Sequence, residues 1–234
     1  MIHELATVVL GPILWAQGRH VRRRVPRLPE ASGPRRVSVG AGPPIRVLVA
    51  GDSAAAGVGA ATQDEALAGR VAAHLAGDFQ VTWQLEAKTG ATTADTLRRL
   101  DRLDPERFDV LVTSLGVNDV TRGLGLTRWM EQQRELLALA RARFGVDLAV
   151  VAGLPPMGGF PALPQPLRWY LGRRARQFSD ALEAWIRHEA SAHFVDLHFT
   201  LDPSLMASDG FHPGPAIYQG WGERVARLVR EAYS

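Results

Sequence analysis

From residue 45 onward, short apolar runs alternate with segments whose apolar residues recur every three to four positions. The short runs predict five β-strands, over residues 45–50, 79–85, 108–115, 146–152 and 194–197. The intervening periodicity predicts amphipathic helices with apolar faces such as Leu67, Val71 and Leu75. Strands that alternate with helices favour parallel pairing, right-handed crossovers and helices on both faces of the sheet. The pattern therefore predicts an α/β fold.

The first 44 residues differ in composition from the rest. An apolar stretch over residues 5–16 is followed by an arginine cluster at residues 19–24 and by a segment rich in Pro, Gly and Arg at residues 26–44. The first 46 residues carry eight arginines and only two glutamates, although the whole chain of 234 residues has a net charge of +3. We predict a basic apolar leader with a linker over residues 1–44 and one domain over residues 45–234.

The leader has two open interpretations. Its apolar stretch is shorter than the roughly 20 residues that cross a bilayer, and its arginines follow the stretch, unlike the charges of a secretory signal. Residues 5–24 either form a peripheral contact with a membrane surface or pack as a helix on the domain. We expect a cytoplasmic protein, with membrane association in the first case.

Composition excludes several classes of function. The chain has no cysteine, so disulfides, thiolate metal sites, iron–sulfur clusters and a cysteine nucleophile are excluded. Its excess positive charge lies in the leader and not on the predicted domain, which argues against nucleic acid as a partner.

Polar motifs follow the predicted strands. G-D-S with Ser53 follows the first strand, T-G-A with Gly90 follows the second, G-V-N-D with Asn118 follows the third, and D-G-F-H-P with Asp209 and His212 follows the fifth. Ligands of open parallel sheets bind beyond the carboxyl ends of the strands. A hydroxyl, an imidazole, a carboxylate and oxyanion donors at this edge are the parts of an acyl-transfer site.

Other motifs do not match on inspection. The G-D-S-A-A segment lacks the second Gly of G-x-S-x-G, and G-V-G at residues 57–59 lacks the third Gly of a dinucleotide site. His188 and His193 are one residue too far apart for a zinc-binding H-E-x-x-H helix. Asp196 and His198 share a strand face, and we interpret this pair as structural. No metal and no cofactor are expected.

The four motifs in this order resemble the SGNH hydrolases, also called the GDSL esterase/lipase family. The resemblance implies a three-layer α/β/α sandwich with a five-stranded parallel sheet in flavodoxin-like order. It implies Ser53 as the nucleophile, His212 as its base and Asp209 as the group that orients the base. The backbone N–H groups of Ser53 and Gly90 and the amide of Asn118 would then form the oxyanion hole.

Each motif alone also has a purely structural interpretation. Asp52 and Ser53 could cap a following helix, and Asn118 with Asp119 could form a turn. We expect Asp119 to support its turn instead of acting on a substrate. The four motifs together favour the catalytic interpretation.

The long apolar segment 153–166 follows the fourth strand. Leu154, Met157, Phe160 and Leu163 either line a substrate pocket or pack back against the following helix. We predict a serine esterase that hydrolyses carboxylic esters with short or medium acyl chains, or lipid-like esters, through a Ser-His-Asp triad and an acyl-enzyme. The alternatives are a thioesterase, a lysophospholipase or a carbohydrate deacetylase with the same site, and, more remotely, a non-catalytic binding domain.

Overall fold

A six-stranded sheet lies between two layers of helices. The computed structural model describes residues 2–198 and 202–233, with the side chains of residues 10–198, 202 and 204–233. The strands are β1 (Arg36–Val39), β2 (Pro44–Gly51), β3 (Gln80–Ala87), β4 (Val110–Ser114), β5 (Leu148–Ala152) and β6 (Ala192–Val195). The helices are α1 (Ile2–Arg24), α2 (Leu67–Leu75), α3 (Thr93–Asp101), α4 (Val117–Thr121), α5 (Leu126–Phe144), α6 (Leu167–Ile186) and α7 (Pro215–Tyr233).

The strand order is β1-β3-β2-β4-β5-β6. Strands β2 to β6 pair in parallel, and they are the five strands predicted from the sequence. Their order is the flavodoxin-like 2-1-3-4-5 when β2 is counted as the first strand. These five parallel strands therefore end at the same edge of the sheet, where the four motifs follow.

Strand β1 adds a sixth strand to the predicted five. It pairs antiparallel with β3, with Arg36 opposite Gln84 and Val39 opposite Val81. Val37 and Val39 are partly buried against the core, whereas the alternate residues Arg36 and Ser38 are exposed. This alternation is typical of an edge strand. It is only four residues long and lies within the Pro/Gly/Arg-rich segment, so the linker composition concealed it.

The strands bury both faces, which confirms the three-layer sandwich. Val47 and Val49 of β2 join the core cluster beneath α2 and α7. Leu48 and Ala50 join a second cluster beneath α3 and α5 on the opposite face. A third cluster fills the space between β5, α5 and α6. Because side chains alternate along a strand, the near-continuous apolar run of β2 supplies side chains to both faces of the sheet.

Helix α1 packs on the outside of α6. Leu14 is buried in the cluster beneath α6, with Leu10 and Val21 partly buried beside it. The side chain of Gln17 donates to the Gln165 carbonyl at 2.6 Å and accepts from the Leu167 N–H at 3.0 Å. The side chains of residues 5–9 in the predicted apolar stretch lie outside the described residues. No described helix is long and apolar enough to cross a bilayer.

The turn after β2 is fastened to the segment before α7. Gly59 has a φ of +98°, and a Cβ there would lie 2.1 Å from the Pro213 carbonyl oxygen. Only glycine combines this φ with so close an approach. One residue earlier, the buried Val58 carbonyl accepts a hydrogen bond of 2.7 Å from the Tyr218 hydroxyl. These contacts join chain segments about 160 residues apart.

We predict that Tyr218→Phe destabilises the protein, because the Val58 carbonyl loses its donor inside the core. The expected loss is about 1–3 kcal/mol in the free energy of unfolding, measured by urea denaturation. Tyr233→Phe is the matched control, since its exposed hydroxyl donates a longer bond of 3.3 Å to the Asp109 carbonyl. Equal losses in the two variants would contradict the importance of the buried bond.

Candidate active site

Ser53, His212 and Asp209 form a continuous hydrogen-bonded chain. Ser53 Oγ lies 2.9 Å from His212 Nε2, although the two residues are 159 positions apart in the sequence. His212 Nδ1 lies 2.5 Å from Asp209 Oδ2. In this arrangement Nδ1 donates to the carboxylate, so Nε2 is free to accept the serine proton. The structure thus brings together the three residues selected from the sequence.

Asp209 is fixed by its own turn. Its Oδ1 accepts the N–H of Phe211 at 2.9 Å and that of His212 at 3.0 Å, and its side chain is fully buried. Burial opposes ionisation, but the bonds from the His212 ring and these N–H groups lower the pKa of Asp209 below its usual value. The carboxylate is therefore charged at neutral pH and can hold the imidazole in one tautomer.

Asn118 connects the turn after β2 with the turn after β3. Its Nδ2 donates to the Ala91 carbonyl at 3.0 Å and to Asp52 Oδ2 at 3.3 Å. Ala91 follows Gly90, and Asp52 precedes Ser53, so the amide lies beside both candidate backbone donors. The N–H groups of Ser53 and Gly90 have no acceptor within the described residues. Gly90 has a φ of +79°, which favours glycine.

Asp52 and the Ala91 carbonyl accept the Asn118 amide protons that a substrate oxyanion would also need. Both N–H bonds of the Asn118 amide are engaged, and the bond to Asp52 is the longer. Asp52 is buried, and its Oδ1 accepts the Ala54 N–H at 3.0 Å. It thus caps a turn and not the following helix that one sequence interpretation proposed, because α2 begins only at Leu67, and Ser53 faces His212. The pKa of Asp52 is raised to about 7, mainly because the carboxyl group is buried.

Asp119 anchors α4 to the start of α3. Its carboxylate accepts the backbone N–H of Thr93 at 3.1 Å and the Thr93 hydroxyl at 3.0 Å. Thr93 Oγ1 in turn accepts the Trp129 indole N–H at 3.1 Å, and all three residues are buried. Burial raises the pKa of Asp119, and the bonds from Thr93 partly offset this rise. These contacts match the supporting position expected for Asp119.

A small apolar cavity of about 50 Å³ opens beside Ser53. Phe160 lines it, and Leu163 lines a separate groove on the other side of His212. Leu154 and Met157, the other two residues proposed for the pocket, are buried in the core cluster beneath α6. Met157 is completely buried, because it starts a short turn that packs closely on α6.

Sequence reasoning missed the opposite wall of this cavity. Ile217 and Trp221 of α7 line it together with Met206. Their spacing of four residues is equally typical of the core-facing side of a helix, so it does not by itself indicate a pocket. The sequence signal for these two residues is their closeness to His212. A helix that starts three residues after the histidine must begin at the same edge of the sheet.

The described residues contain no group of three or more His, Asp or Glu side chains placed to hold a metal ion. The ring nitrogen Nδ1 of His198 contacts the Asp196 carboxylate, and both side chains are exposed to solvent. This exposed pair therefore has only two of the ligands that a protein metal site needs.

We predict that Asp52→Asn changes stability in a pH-dependent way. Because the folded protein holds Asp52 at a pKa of about 7, well above 3.8, the wild type loses stability as pH rises between these values. The variant lacks this loss. The difference in unfolding free energy, variant minus wild type, should increase by on the order of 2 kcal/mol between pH 5 and 7 and then level off.

Urea denaturation at pH 5, 6, 7 and 8 measures this difference. Asp180→Asn, at an exposed position on α6, is the matched control, and its difference should stay constant over the series. A constant difference for Asp52→Asn as well would show that the folded protein does not favour a protonated Asp52.

Comparisons with known proteins identify related sequences and structures. Residues 49–219 match the model of the GDSL-like lipase/acylhydrolase family. A GDSL-like esterase of Mycobacterium tuberculosis is 27% identical, over 97% of this chain and 79% of that protein.

Solved structures share the fold. A psychrotrophic esterase, EstA, from Pseudoalteromonas sp. superposes with a TM-score of 0.61 at 18% identity, covering 80% of this chain and 98% of that one. A lipase/acylhydrolase from Enterococcus faecalis superposes with a TM-score of 0.57 at 20% identity, covering 80% and 96%. The family match covers more than half of the sequence and includes all four motifs. The chain belongs to the GDSL-like lipase/acylhydrolase family.

Proposed function

We propose that the protein is a serine esterase that hydrolyses carboxylic esters of short or medium acyl chains through a covalent acyl-enzyme. Its family makes it a carboxylic ester hydrolase that acts on small-molecule esters. The main support for the finer proposal is the contact of 2.9 Å between Ser53 Oγ and His212 Nε2, with the ionised Asp209 behind the ring. A serine hydroxyl is a weak nucleophile without such a base.

The first half of the proposed reaction forms the acyl-enzyme. Ser53 Oγ attacks the ester carbonyl carbon as its proton passes to His212 Nε2. The tetrahedral intermediate then breaks its bond to the alcohol oxygen, and that oxygen takes the proton from His212. Asp209 stabilises the imidazolium between these two transfers.

The second half releases the acid. A water molecule gives a proton to His212 Nε2 and attacks the acyl carbon. The bond from carbon to Ser53 Oγ then breaks, and the serine recovers its proton from His212. The products are one alcohol and one carboxylic acid, and the side chains return to their initial state.

The negative oxygen of each intermediate would be stabilised by three donors. They are the N–H groups of Ser53 and Gly90 and the Asn118 amide. Neither backbone N–H has an acceptor among the described residues, which supports this assignment. Asn118 would shift its longer bond from Asp52 to the substrate oxygen, which exchanges one hydrogen bond for another. One such donor contributes about 3–4 kcal/mol to transition-state stabilisation in related sites.

The cavity beside Ser53 supports a short acyl chain. Its volume of about 50 Å³ is far below the roughly 300–1,000 Å³ of sites that enclose drug-sized ligands. Phe160, Ile217 and Trp221 give it an apolar lining. An acetyl or similarly small acyl group would therefore be favoured over a long chain.

We also propose a peripheral membrane contact through α1. Ile13 and Trp15 are exposed at 49% and 64%, and Arg19 lies 5.6 Å from the Trp15 ring centroid. Three arginines, at residues 22–24, occupy the last turn of the helix. Exposed apolar side chains beside basic ones favour the surface of a membrane with anionic lipids.

We predict that Ser53→Ala abolishes hydrolysis of p-nitrophenyl acetate and labelling by a fluorophosphonate probe, because both require the Ser53 hydroxyl. Ser208→Ala, in the exposed part of the histidine loop, is the matched control and should retain both. Circular dichroism verifies the fold of both variants. Turnover or labelling that persists in Ser53→Ala would refute the proposed nucleophile.

We predict that His212→Ala lowers kcat more than Asp209→Asn does. Loss of the base removes the proton acceptor, whereas loss of the carboxylate only misorients it. In a comparable triad the two losses are about 10⁶-fold and 10⁴-fold. Steady-state kinetics with p-nitrophenyl acetate gives the order, and the reverse order would contradict the assigned roles.

We predict that Ile13→Gln and Arg23→Gln each weaken binding to vesicles containing phosphatidylglycerol. A basic residue near such a surface contributes about 1 kcal/mol, so the loss for Arg23 is about fivefold. Cosedimentation measures the binding, and pure phosphatidylcholine vesicles provide the neutral reference. Arg128→Gln, at the start of α5, is the matched control. Unchanged binding of both α1 variants would refute the membrane contact.

A further inference from the structure

A second cleft, here called the arginine groove, begins at Asn118 and His212 and runs between α1 and the body of the protein. Its volume is about 590 Å³, within the range of sites that hold small ligands. Helix α1 supplies one side with Leu14, Trp15 and Arg22. The groove and the small cavity beside Ser53 share His212 and Phe211, so they open on either side of the same imidazole.

The groove is strongly positive. Four arginines line it, and its described lining contains no Asp or Glu side chain. They are Arg22, Arg27, Arg122 and Arg174. On the rest of the body most surface arginines contact an acidic side chain, as Arg128 contacts Glu131 at 2.9 Å. A cleft of one charge sign attracts and concentrates ligands of the opposite sign.

Two of these arginines have unused donors. Arg22 and Arg27 are exposed, and neither has an ion-pair or side-chain hydrogen-bond partner in the described part of the chain. Arg122 is already engaged, because its Nη2 donates to the Gly90 carbonyl at 2.7 Å and its Nη1 lies 3.8 Å from Asp95 Oδ2. Arg174 donates to the Leu124 carbonyl at 2.5 Å. Arg22 and Arg27 can therefore turn all of their donors towards a ligand.

The chemistry of these donors selects the ligand. A guanidinium group binds a carboxylate or a phosphate with two parallel hydrogen bonds, which a neutral ester cannot accept. The rings of Trp15 and Phe211 provide apolar surface in the same groove. A ligand that fits has an apolar portion near His212 and an anionic group near the arginines.

We propose that the arginine groove receives the alcohol portion of the substrate and that the preferred esters carry an anionic group on that portion. This inference rests on the proposed serine esterase function. The cavity beside Ser53 holds only a small acyl group, and the leaving oxygen must lie near His212 to receive its proton. The alcohol then extends from His212 into the arginine groove. The substrate class is a short-chain ester of an alcohol with a carboxylate or phosphate group.

The test compares matched acetate esters that differ in the charge of the alcohol. They are 4-acetoxybenzoate, its neutral methyl ester, and 4-acetoxyphenyl phosphate. The variants are Arg22→Gln, Arg27→Gln and the double variant. Arg23→Gln is the matched control, because it removes the same charge from α1 at a position outside the groove.

The measured quantity is the ratio of kcat/KM for an anionic ester to kcat/KM for the neutral ester. We expect Arg22→Gln and Arg27→Gln each to lower this ratio about tenfold, mainly through KM, as loss of a hydrogen bond to a charged group predicts. Arg23→Gln should leave it within twofold. Rising salt should lower the wild-type ratio, because the attraction is electrostatic.

A ratio that is unchanged in the double variant would overturn the inference, as would an equal fall with Arg23→Gln. The neutral ester separates this failure from failure of the proposed function. If Ser53→Ala still hydrolyses the neutral ester, the serine mechanism is wrong. If that hydrolysis needs Ser53 but the ratio does not change, only the role of the arginine groove is wrong.

Two further arms identify the source of the anion. Inorganic phosphate tests whether a free anion is sufficient to compete with the anionic ester. Phosphatidylglycerol vesicles, at the same phosphate concentration, test a lipid headgroup. Competition by either that disappears in the double variant but persists in Arg23→Gln supports the inference. Competition that persists in the double variant, or that disappears equally in Arg23→Gln, contradicts a site at Arg22 and Arg27.

Discussion

The contact between Ser53 and His212 depends on the packing of two segments that lie far apart in the sequence. The serine and the histidine belong to different elements, and neither element alone fixes both of them. The turn after β2 presents the serine, and the loop before α7 presents the histidine. Gly59 allows the two backbones to touch at Pro213, and the Tyr218 hydroxyl binds the Val58 carbonyl. The distance of 2.9 Å between Oγ and Nε2 is therefore a consequence of core packing.

The side of the site that carries the proposed oxyanion donors is held by a separate buried network. Asp119, Thr93 and Trp129 join α4, α3 and α5 through hydrogen bonds within the core. Asn118 precedes Asp119 directly, so the network also fixes the start of α4 from which its amide extends. A preorganised donor needs no reorganisation when charge develops on the substrate. The buried acids near the site thus serve to hold donors in position.

The sequence was sufficient for the elements whose signal is local. The five parallel strands and the residues at their ends followed from apolar runs, because a buried parallel strand reads as one continuous run. The meeting of Ser53, Asp209 and His212 followed from the rule that such strands end at one edge. Strand β1 was missed, since four residues within a Pro/Gly/Arg-rich segment give too short a pattern.

The sequence was not sufficient where contacts join distant segments. Leu154 and Met157 are apolar residues in a loop near the site, and nothing local distinguishes a pocket lining from core packing. The arginine groove requires α1 to lie against α6, through contacts such as those of Gln17 with residues about 150 positions away. Its charge was visible in the composition, but its place beside His212 was not.

The seating of α1 has a consequence for how such a protein can diversify. The proposed reacting groups all belong to the sheet edge, whereas one side of the arginine groove belongs to α1, which is held by a few contacts. Substitutions on that helix can alter which molecules are accepted while the reaction centre keeps its geometry. In the proposed arrangement, the reaction and the choice of the alcohol portion are encoded in separate stretches of the chain, and exchanging α1 for another helix is a direct route to changing the accepted alcohol.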